Sequence, residues 1–131
     1  MNVVLDTNVI IAAFASRGLC EAVMTVCLDR GRLVTSEFIL DEVAEKLASK
    51  LKMPPTRVRE IVKFLRDNAR VVTPADVPAN ACPDADDLPI LGTMIAAGAD
   101  CLVTGDAALL AIGQHAGIAI HSPRQFYEQL K

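Results

Sequence analysis

Acidic residues that follow short apolar runs are the first sign of chemistry in this sequence. Asp6 comes directly after the run at 2–5, and Asp106 follows the run at 101–104 after a single glycine. Further carboxylates stand in the chain at Glu42 and at Asp84, Asp86 and Asp87. We expect no histidine or cysteine beside them, so any site that they form would offer oxygen atoms alone.

Carboxylates gathered in one place favour a hard divalent cation. Two of them ~4 Å apart repel by roughly 4 kcal/mol at an effective dielectric constant of ~20, whereas a domain of this size is stable by only about 5–15 kcal/mol. Converging acids must therefore be protonated or bridged by a cation, and oxygen ligands favour Mg²⁺ or Mn²⁺. Such ions activate water and stabilise phosphoryl transition states, which predicts phosphate-ester chemistry. Each acid taken alone is better explained as a cap, a turn residue or a solvated side chain.

The elements that must position these acids alternate along the chain. Apolar runs predict five strands, at about 2–5, 33–35, 71–73, 101–104 and 118–120. Helices are predicted over about 8–15, 18–30, 37–51, 55–69, 86–97 and 106–112, and from 123 to the end. This alternation predicts an α/β fold, a three-layer α/β/α sandwich around a central, mostly parallel sheet. Ligands of such sheets bind beyond the carboxyl ends of the strands.

Composition bounds the remaining possibilities. The 131 residues predict one domain spanning 1–131. Hydrophobic residues at 52% and charged residues at 22% exclude disorder, and aromatic residues at 4% argue against a base-stacking platform. The net charge of −3 argues against a basic module that coats DNA.

Cysteine usage and the N-terminus indicate a cytoplasmic protein. The four cysteines (Cys20, Cys27, Cys82 and Cys101) lack C-x-x-C spacing, and with only two histidines a zinc site is not expected. We interpret them as buried thiols in a reducing compartment. The first residues do not form a secretory signal, and no apolar stretch is long enough to cross a bilayer, so we expect no contact with a membrane.

Four blocks of the sequence together resemble the signature blocks of PIN domains. They are Val-Val-Leu-Asp-Thr-Asn-Val at 3–9, the segment 36–42, Pro-Asp-Ala-Asp-Asp at 83–87 and Leu-Val-Thr-Gly-Asp at 102–106. The match runs in order from residue 2 to about residue 125, and it is closest to the toxin components of prokaryotic toxin–antitoxin pairs. The resemblance implies a ribonuclease that depends on Mg²⁺ or Mn²⁺, an antitoxin partner and, because members often dimerise, a homodimer.

The resemblance also assigns site residues. The catalytic, metal-binding acids would be Asp6, Glu42, Asp87 and Asp106, with Asp84 as a further candidate ligand that depends on the alignment. Asn8 and Thr104 would be polar supports, although Thr104 could equally be a plain strand end. Three positions depart from the family pattern: Ala85 replaces a proline, and Gly92 and Thr93 replace an alanine and a leucine, which predicts a looser helix there.

Charge is segregated along the chain. Residues 46–70 hold eight basic and two acidic side chains, a net charge of +6, whereas residues 71–106 hold six acids and no lysine or arginine. A basic flank of this kind can follow a phosphate backbone, which makes it a candidate RNA-binding surface; the alternative is an ordinary solvated helix. The candidate contacts are Lys46, Lys50, Arg57, Arg59, Lys63 and Arg66.

Three functions compete. The leading hypothesis is a Mg²⁺- or Mn²⁺-dependent endoribonuclease, a toxin held in check by an antitoxin. The second is a phosphatase that forms an aspartyl-phosphate on Asp6, but Asn8 stands where that chemistry favours a second acid, and a lysine would have to reach the phosphate from 46, 50, 52 or 63. The third is a degenerate PIN domain that only binds RNA or protein, against which the presence of all four acids argues.

Overall fold

Helices and strands alternate along the chain, as its apolar pattern predicts. A computed structural model describes residues 1–130. The strands of that part are β1 (Val3–Leu5), β2 (Leu33–Ser36), β3 (Arg70–Val72), β4 (Cys101–Val103), β5 (Gln114–His115) and β6 (Ile118–His121). Its α-helices are α1 (Thr7–Ala15), α2 (Leu19–Asp29), α3 (Glu37–Ser49), α4 (Pro55–Asn68), α5 (Leu88–Ala96), α6 (Ala107–Ile112) and α7 (Pro123–Glu128).

The strands form one sheet in the order β3-β2-β1-β4-β6-β5. All neighbouring pairs are parallel except β5 with β6. Every residue of β1, β2 and β4 is buried, so helices cover both faces of the central strands. The predicted α/β/α sandwich with a mostly parallel sheet is therefore confirmed, and each predicted strand lies within one residue of its observed bounds.

The strand order reverses between β1 and β4. The chain moves outward from β1 to β2 and β3 and then returns to place β4 on the other side of β1. Connections that diverge in this way leave a crevice beyond the carboxyl ends of the two central strands. Asp6 follows β1 at this crevice, and Gly105 and Asp106 follow β4.

The short strand β5 is the element that the sequence pattern did not predict. Gln114–His115 pairs antiparallel with β6 through a two-residue turn, in which Ala116 has φ 51° and Gly117 has φ 78°. Two positive φ angles suit the tight turn of a hairpin. Two residues are too few for a periodic signal, and alanine seldom adopts a positive φ, so this hairpin leaves little trace in the sequence.

Helix α5 begins later than predicted. A 3₁₀ turn at Ala85–Asp87 precedes it, and Asp84 caps that turn by accepting a hydrogen bond from the Asp86 N–H at 2.9 Å. The helix then starts at Leu88 with Pro89 in its first turn. Asp87 therefore sits at the junction of the turn and the helix.

The two unusual residues in α5 both have packing partners. A Cβ atom added at Gly92 would lie 2.3 Å from the carbonyl oxygen of Ala75, whose own N–H donates to the Gly92 carbonyl at 2.9 Å. The hydroxyl of Thr93 is buried 2.8 Å from the hydroxyl of Ser36. Helix α5 is continuous through both positions, and Gly92 lets the loop after β3 lie directly on it.

The core is aliphatic, and the cysteines belong to it. Cys27, Cys82 and Cys101 are buried, Cys20 is half-buried, and all four are free thiols. Burial is the main cause that raises the pKa of Cys27 to about 12 and that of Cys101 to about 11, so both stay protonated. One buried hydroxyl, that of Thr35 in β2, has no hydrogen-bond partner within residues 1–130.

Within residues 1–130, no single helix has the length and apolar character needed to cross a membrane. The pair α1 and α2 passes that test on length and composition only, with a bend of 105° between its members.

Candidate active site

Asp6 lies at the centre of the crevice. It caps α1 and is only 7% exposed. Its Oδ1 accepts a hydrogen bond from the Thr7 N–H at 2.8 Å, and its Oδ2 accepts one from the Thr104 hydroxyl at 2.7 Å. Burial raises the pKa of Asp6, the two hydrogen bonds and the charge of Lys46 oppose that rise, and the charge of Asp106 adds to it.

Thr7 joins Asp6 to Glu42. Its hydroxyl donates to Glu42 Oε1 at 2.7 Å, across 35 residues of sequence, and the residue is 1% exposed. This contact brings α3 to the carboxyl end of β1. Sequence reasoning missed Thr7; the available signal was a hydroxyl residue directly after the acid that ends a buried strand.

Thr104 joins Asp6 to Asp106. Its hydroxyl donates to Asp6 and accepts a hydrogen bond from the Asp106 N–H at 3.0 Å. Asp106 Oδ1 caps α6 by accepting from the N–H groups of Ala108 and Leu109 at 2.8 and 3.1 Å. Its other oxygen, Oδ2, has no protein donor in the described part of the chain and can face the crevice.

Asp87 enters the same region from the loop before α5. Its pKa is raised to about 6, first by burial and then by negative charge. The contributing charges are those of Asp106, Asp6, Asp84 and Glu42. Carboxylates from four places in the chain thus act on one another, and we call Asp6, Glu42, Asp87 and Asp106 the carboxylate cluster.

The loop 83–87 contributes its three acids unequally. Asp87 is acted on by the charges of the other cluster acids and of Asp84, while one Asp84 oxygen caps the 3₁₀ turn. Asp86 is exposed and is not among the charges that raise the pKa of Asp87. The Cys82 thiol donates to the Asp84 carbonyl oxygen at 3.2 Å, so a cysteine lies beside this loop, contrary to the expectation of no cysteine nearby. Burial and the charges of Asp87 and Asp84 raise the pKa of this thiol.

The donor atoms fit a hard cation, but the side chains stand apart. Every cluster donor is a carboxylate oxygen, the ligand type of Mg²⁺ and Mn²⁺. Among residues 1–130, no three Asp, Glu, His or Cys side chains are close enough to share one ion. Burial is the first cause of the raised pKa of Asp87, and the negative charges of the neighbouring acids add to it. A bound cation would offset the repulsion between these negative charges.

Asn8 lies at the rim of the site rather than among the acids. It is exposed, and its side-chain oxygen lies 3.4 Å from the Lys46 ammonium group. Lys46 also acts on Asp6 by charge. One cation of the basic flank therefore borders the carboxylate cluster.

Much of the basic flank is paired within the chain. Arg57 lies 3.3 Å from Glu60, and Lys63 lies 2.6 Å from Asp67. Arg66 forms a two-pronged pair with Glu37. Arg59 contacts only a hydroxyl, that of Thr56, at 3.5 Å. All these pairs are exposed, so each contributes little to stability and can open.

Comparison with known proteins identifies the family. A family model described as PIN domain matches residues 2–108, a range that contains all four acids of the carboxylate cluster. No curated protein matches the sequence significantly. Because the family model covers most of the chain, this protein belongs to the PIN domain family, whose members are generally nucleases.

Proposed function

We propose that this chain is an endoribonuclease that depends on Mg²⁺ or Mn²⁺. The observation that carries the proposal is an unbroken series of hydrogen bonds at the carboxyl ends of β1 and β4. It runs from Glu42 through Thr7 to Asp6, and from Asp6 through Thr104 to Asp106. Two buried threonines hold the Glu42 and Asp6 carboxylates and the Asp106 backbone in place, and the charges of these three acids act on Asp87.

The difference in burial between Asp6 and Asp87 suggests different roles for the two carboxylates. Asp6 is buried and takes two hydrogen bonds, which oppose the rise in pKa that burial causes and fix the position of a ligand. A bound Mg²⁺ or Mn²⁺ would activate water and neutralise charge on the phosphate. Asp87 is more exposed and has a pKa of about 6 in the cation-free protein. A carboxylate whose pKa lies near the working pH is suited to accept a proton from the attacking water.

The competing phosphatase chemistry has less support. A nucleophilic Asp6 would favour a second acid two residues later, yet Asn8 stands there, exposed and 3.4 Å from the Lys46 ammonium group. Lys46 does lie near Asp6. A phosphate adduct trapped on Asp6 and detected by mass spectrometry would favour the phosphatase.

The test is cleavage of a labelled single-stranded RNA with Mn²⁺ and with a chelator. Wild type should cut only with Mn²⁺, and Asp87→Asn should be inactive. Asp86→Asn is the matched control, since it makes the same change one residue away and should cut normally. Intact cleavage by Asp87→Asn, or equal loss in both variants, would contradict the site assignment. RNA that is bound but never cut by wild type would favour a non-catalytic domain.

We further propose that the protein is a cytoplasmic toxin restrained by an antitoxin. The resemblance to toxin components supports this role, and the carboxylate cluster would attract an arginine or lysine of the partner as readily as a cation. Co-expression with a small protein from a neighbouring reading frame should suppress cleavage. Full activity in the saturated complex would refute the role. A homodimer, also implied by the resemblance, would be measured by light scattering.

A further inference from the structure

A groove at β6, the strand next to β4, has no part in the function proposed so far. It is bounded by the end of β6, the C-terminal half of α6 and the start of α7, and its volume is about 500 Å³. That volume lies within the range of ~300–1,000 Å³ found for sites that hold small ligands. The residues that matter here are Leu110, Ile120, His121, Ser122, Arg124 and Gln125.

Two backbone hydrogen bonds tie this groove to the cluster. The Leu110 N–H donates to the carbonyl oxygen of Asp106 at 2.9 Å. Four residues of helix separate the two, a distance of about 6 Å along the axis. The Thr104 N–H donates to the carbonyl oxygen of His121 at 2.9 Å. The groove therefore opens at the same edge of the sheet as the carboxylate cluster, one strand away.

The lining of the groove suits a nucleobase. Leu110 and Ile120 offer an apolar wall, while His121 and Arg124 offer planar groups on which a base can stack. Single-stranded RNA is commonly recognised by splaying a base onto a histidine ring or a guanidinium plane. His121 is half-buried and lines the groove.

Hydrogen-bond donors are also left over at the rim. Ser122 and Gln125 cap α7 reciprocally: Ser122 Oγ accepts from the Gln125 N–H, and Gln125 Oε1 accepts from the Ser122 N–H. Both side chains act there only as acceptors. The Ser122 hydroxyl hydrogen and the Gln125 amide hydrogens can therefore donate to a base edge.

Arg124 is the cation that a phosphate could use. Its side chain is 74% exposed, and its guanidinium lies 3.8 Å from Glu128, a longer separation than in the other three ion pairs of the described chain. The carboxylate cluster repels phosphate groups until a cation binds. This exposed guanidinium, paired with Glu128 only at 3.8 Å, would hold the RNA backbone where the acids cannot.

We propose that this groove is a nucleotide subsite of the nuclease, in which His121 stacks on the base next to the cleaved phosphodiester and Arg124 contacts its phosphate. The subsite rests on the proposed function, because it takes its substrate from that activity. It deepens that function by assigning base preference to β6 and α7, which lie on the opposite side of the cluster from the basic flank.

The first test measures RNA binding apart from cleavage. In an Asp87→Asn background without added cation, the affinity for a fluorescent single-stranded RNA is followed by anisotropy. His121→Ala should weaken binding about tenfold, as expected when one base no longer stacks, and Arg124→Ala should weaken it and lower its salt dependence. His115→Ala and Arg17→Ala, which change the same residue types elsewhere, should bind as the background does.

Conservative variants separate stacking from a structural role. The ring nitrogen Nε2 of His121 lies 3.2 Å from the Gln129 amide nitrogen. His121→Phe keeps a flat ring and should retain affinity, whereas His121→Gln keeps a polar group and should lose it. The reverse order would overturn the subsite. Thermal melts identify any variant that fails to fold.

Cleavage mapping then separates this proposal from the activity itself. Wild type with Mn²⁺ should cut a randomised RNA with a base preference beside the cut, and His121→Ala should still cut with that preference flattened. An unchanged preference and unchanged affinity would overturn the subsite alone. No RNA binding by any variant would also overturn it. Weaker binding by His121→Ala, with no cleavage by wild type, would refute the nuclease and leave the groove as an RNA site.

Discussion

Asp87 makes the cation-free fold sensitive to pH. Its pKa is about 6 in the folded chain, against about 3.9 for an aspartate in an unfolded chain. The folded state therefore binds this proton more tightly than the unfolded state. The stabilisation is fully present below about pH 4 and is lost as the pH rises through about 6, so this residue lowers the free energy of unfolding across that window.

Asp87→Asn should remove that pH-dependent destabilisation. At pH 7.5 without cation, the free energy of unfolding of the variant should exceed that of wild type by ~1 kcal/mol, a value reduced for the solvent screening of a partly exposed group. This corresponds to a melting temperature about 4 °C higher. At pH 4 the two melting temperatures should agree. Calorimetry at both values measures the difference, and Asp86→Asn should follow wild type throughout. A variant that melts below wild type at pH 7.5 would show that Asp87 is only a helix cap.

A cation should stabilise the folded chain through the same residues. At a tenfold excess of Mn²⁺ over its dissociation constant, the free energy of unfolding should rise by about 1.4 kcal/mol, or on the order of 5 °C for this size. The response should be smaller in Asp6→Asn, which removes a ligand charge. Equal melting temperatures with and without Mn²⁺ in wild type would count against a cation site.

Two buried threonines differ in their hydrogen bonds, so substituting each by valine gives a controlled comparison. Thr104 hydrogen-bonds to Asp6 and Asp106, whereas the Thr35 hydroxyl has no partner within the described residues. Thr104→Val should lower the free energy of unfolding by about 2 kcal/mol and reduce cleavage, because it leaves a buried carboxylate oxygen unpaired. Thr35→Val should be neutral or stabilising. Denaturant unfolding of both variants measures the contrast, and equal effects would contradict it.

At this scale the sequence pointed to the acids and not to what holds them. Asp6 and Asp106 could be predicted because each follows a buried strand, and strand ends meet at one edge. Thr7 could not, since nothing in the sequence says that its hydroxyl crosses 35 residues to reach Glu42. The choice of Asp87 over Asp84 and Asp86 stays a prediction from its position before the helix; in the structure Asp87 ends a 3₁₀ turn that Asp84 caps.

Helix α5 depends on a close approach by the loop that precedes it. At Gly92 a methyl group would meet the backbone oxygen of Ala75 at 2.3 Å, and a backbone atom cannot rotate away. Gly92→Ala should lower the free energy of unfolding by about 2 kcal/mol, although alanine is favoured over glycine within helices by about 1 kcal/mol. Gly18→Ala is the control, since no atom lies within 4 Å of its added methyl group. Urea unfolding measures both, and an unchanged Gly92→Ala would contradict the close approach.

Elements with long apolar runs were predictable, and the short ones were not. Strands β1 and β4 are buried on both faces, so their residues are apolar without interruption, and this run is visible in the sequence. The β5–β6 hairpin depends on two residues and a tight turn, and the 3₁₀ turn before α5 depends on one side-chain cap. Local interactions of this size leave no periodic pattern in the sequence.

The uneven charge of the whole molecule predicts how it meets RNA. Lys46 borders the carboxylate cluster, and Lys50 forms no ion pair within residues 1–130, whereas Lys63 and Arg66 are paired with acids of this chain. The double variant Lys46→Gln, Lys50→Gln should weaken RNA binding for all sequences. It should also make the salt slope, the slope of the logarithm of the binding constant against the logarithm of the salt concentration, less steep. We expect a reduction of roughly 0.7 for each phosphate group that the variant no longer neutralises.

The matched control is the double variant Lys63→Gln, Arg66→Gln, which removes two cations that already have acidic partners. Its salt slope should change less. Binding isotherms at several salt concentrations give both slopes. An unchanged slope in the first variant would make the flank an ordinary solvated surface.

The short outer strands limit how copies of this chain can meet. The sheet ends at β3, of three residues, and at β5, of two. Edges this short expose few unpaired backbone groups on which another chain could add a strand. Self-association by extending the sheet is thus disfavoured, and a pair of copies would have to join through helical surfaces. Phe64 of α4, 43% exposed and packed edge-to-face on Phe14 of α1, lies on one such surface.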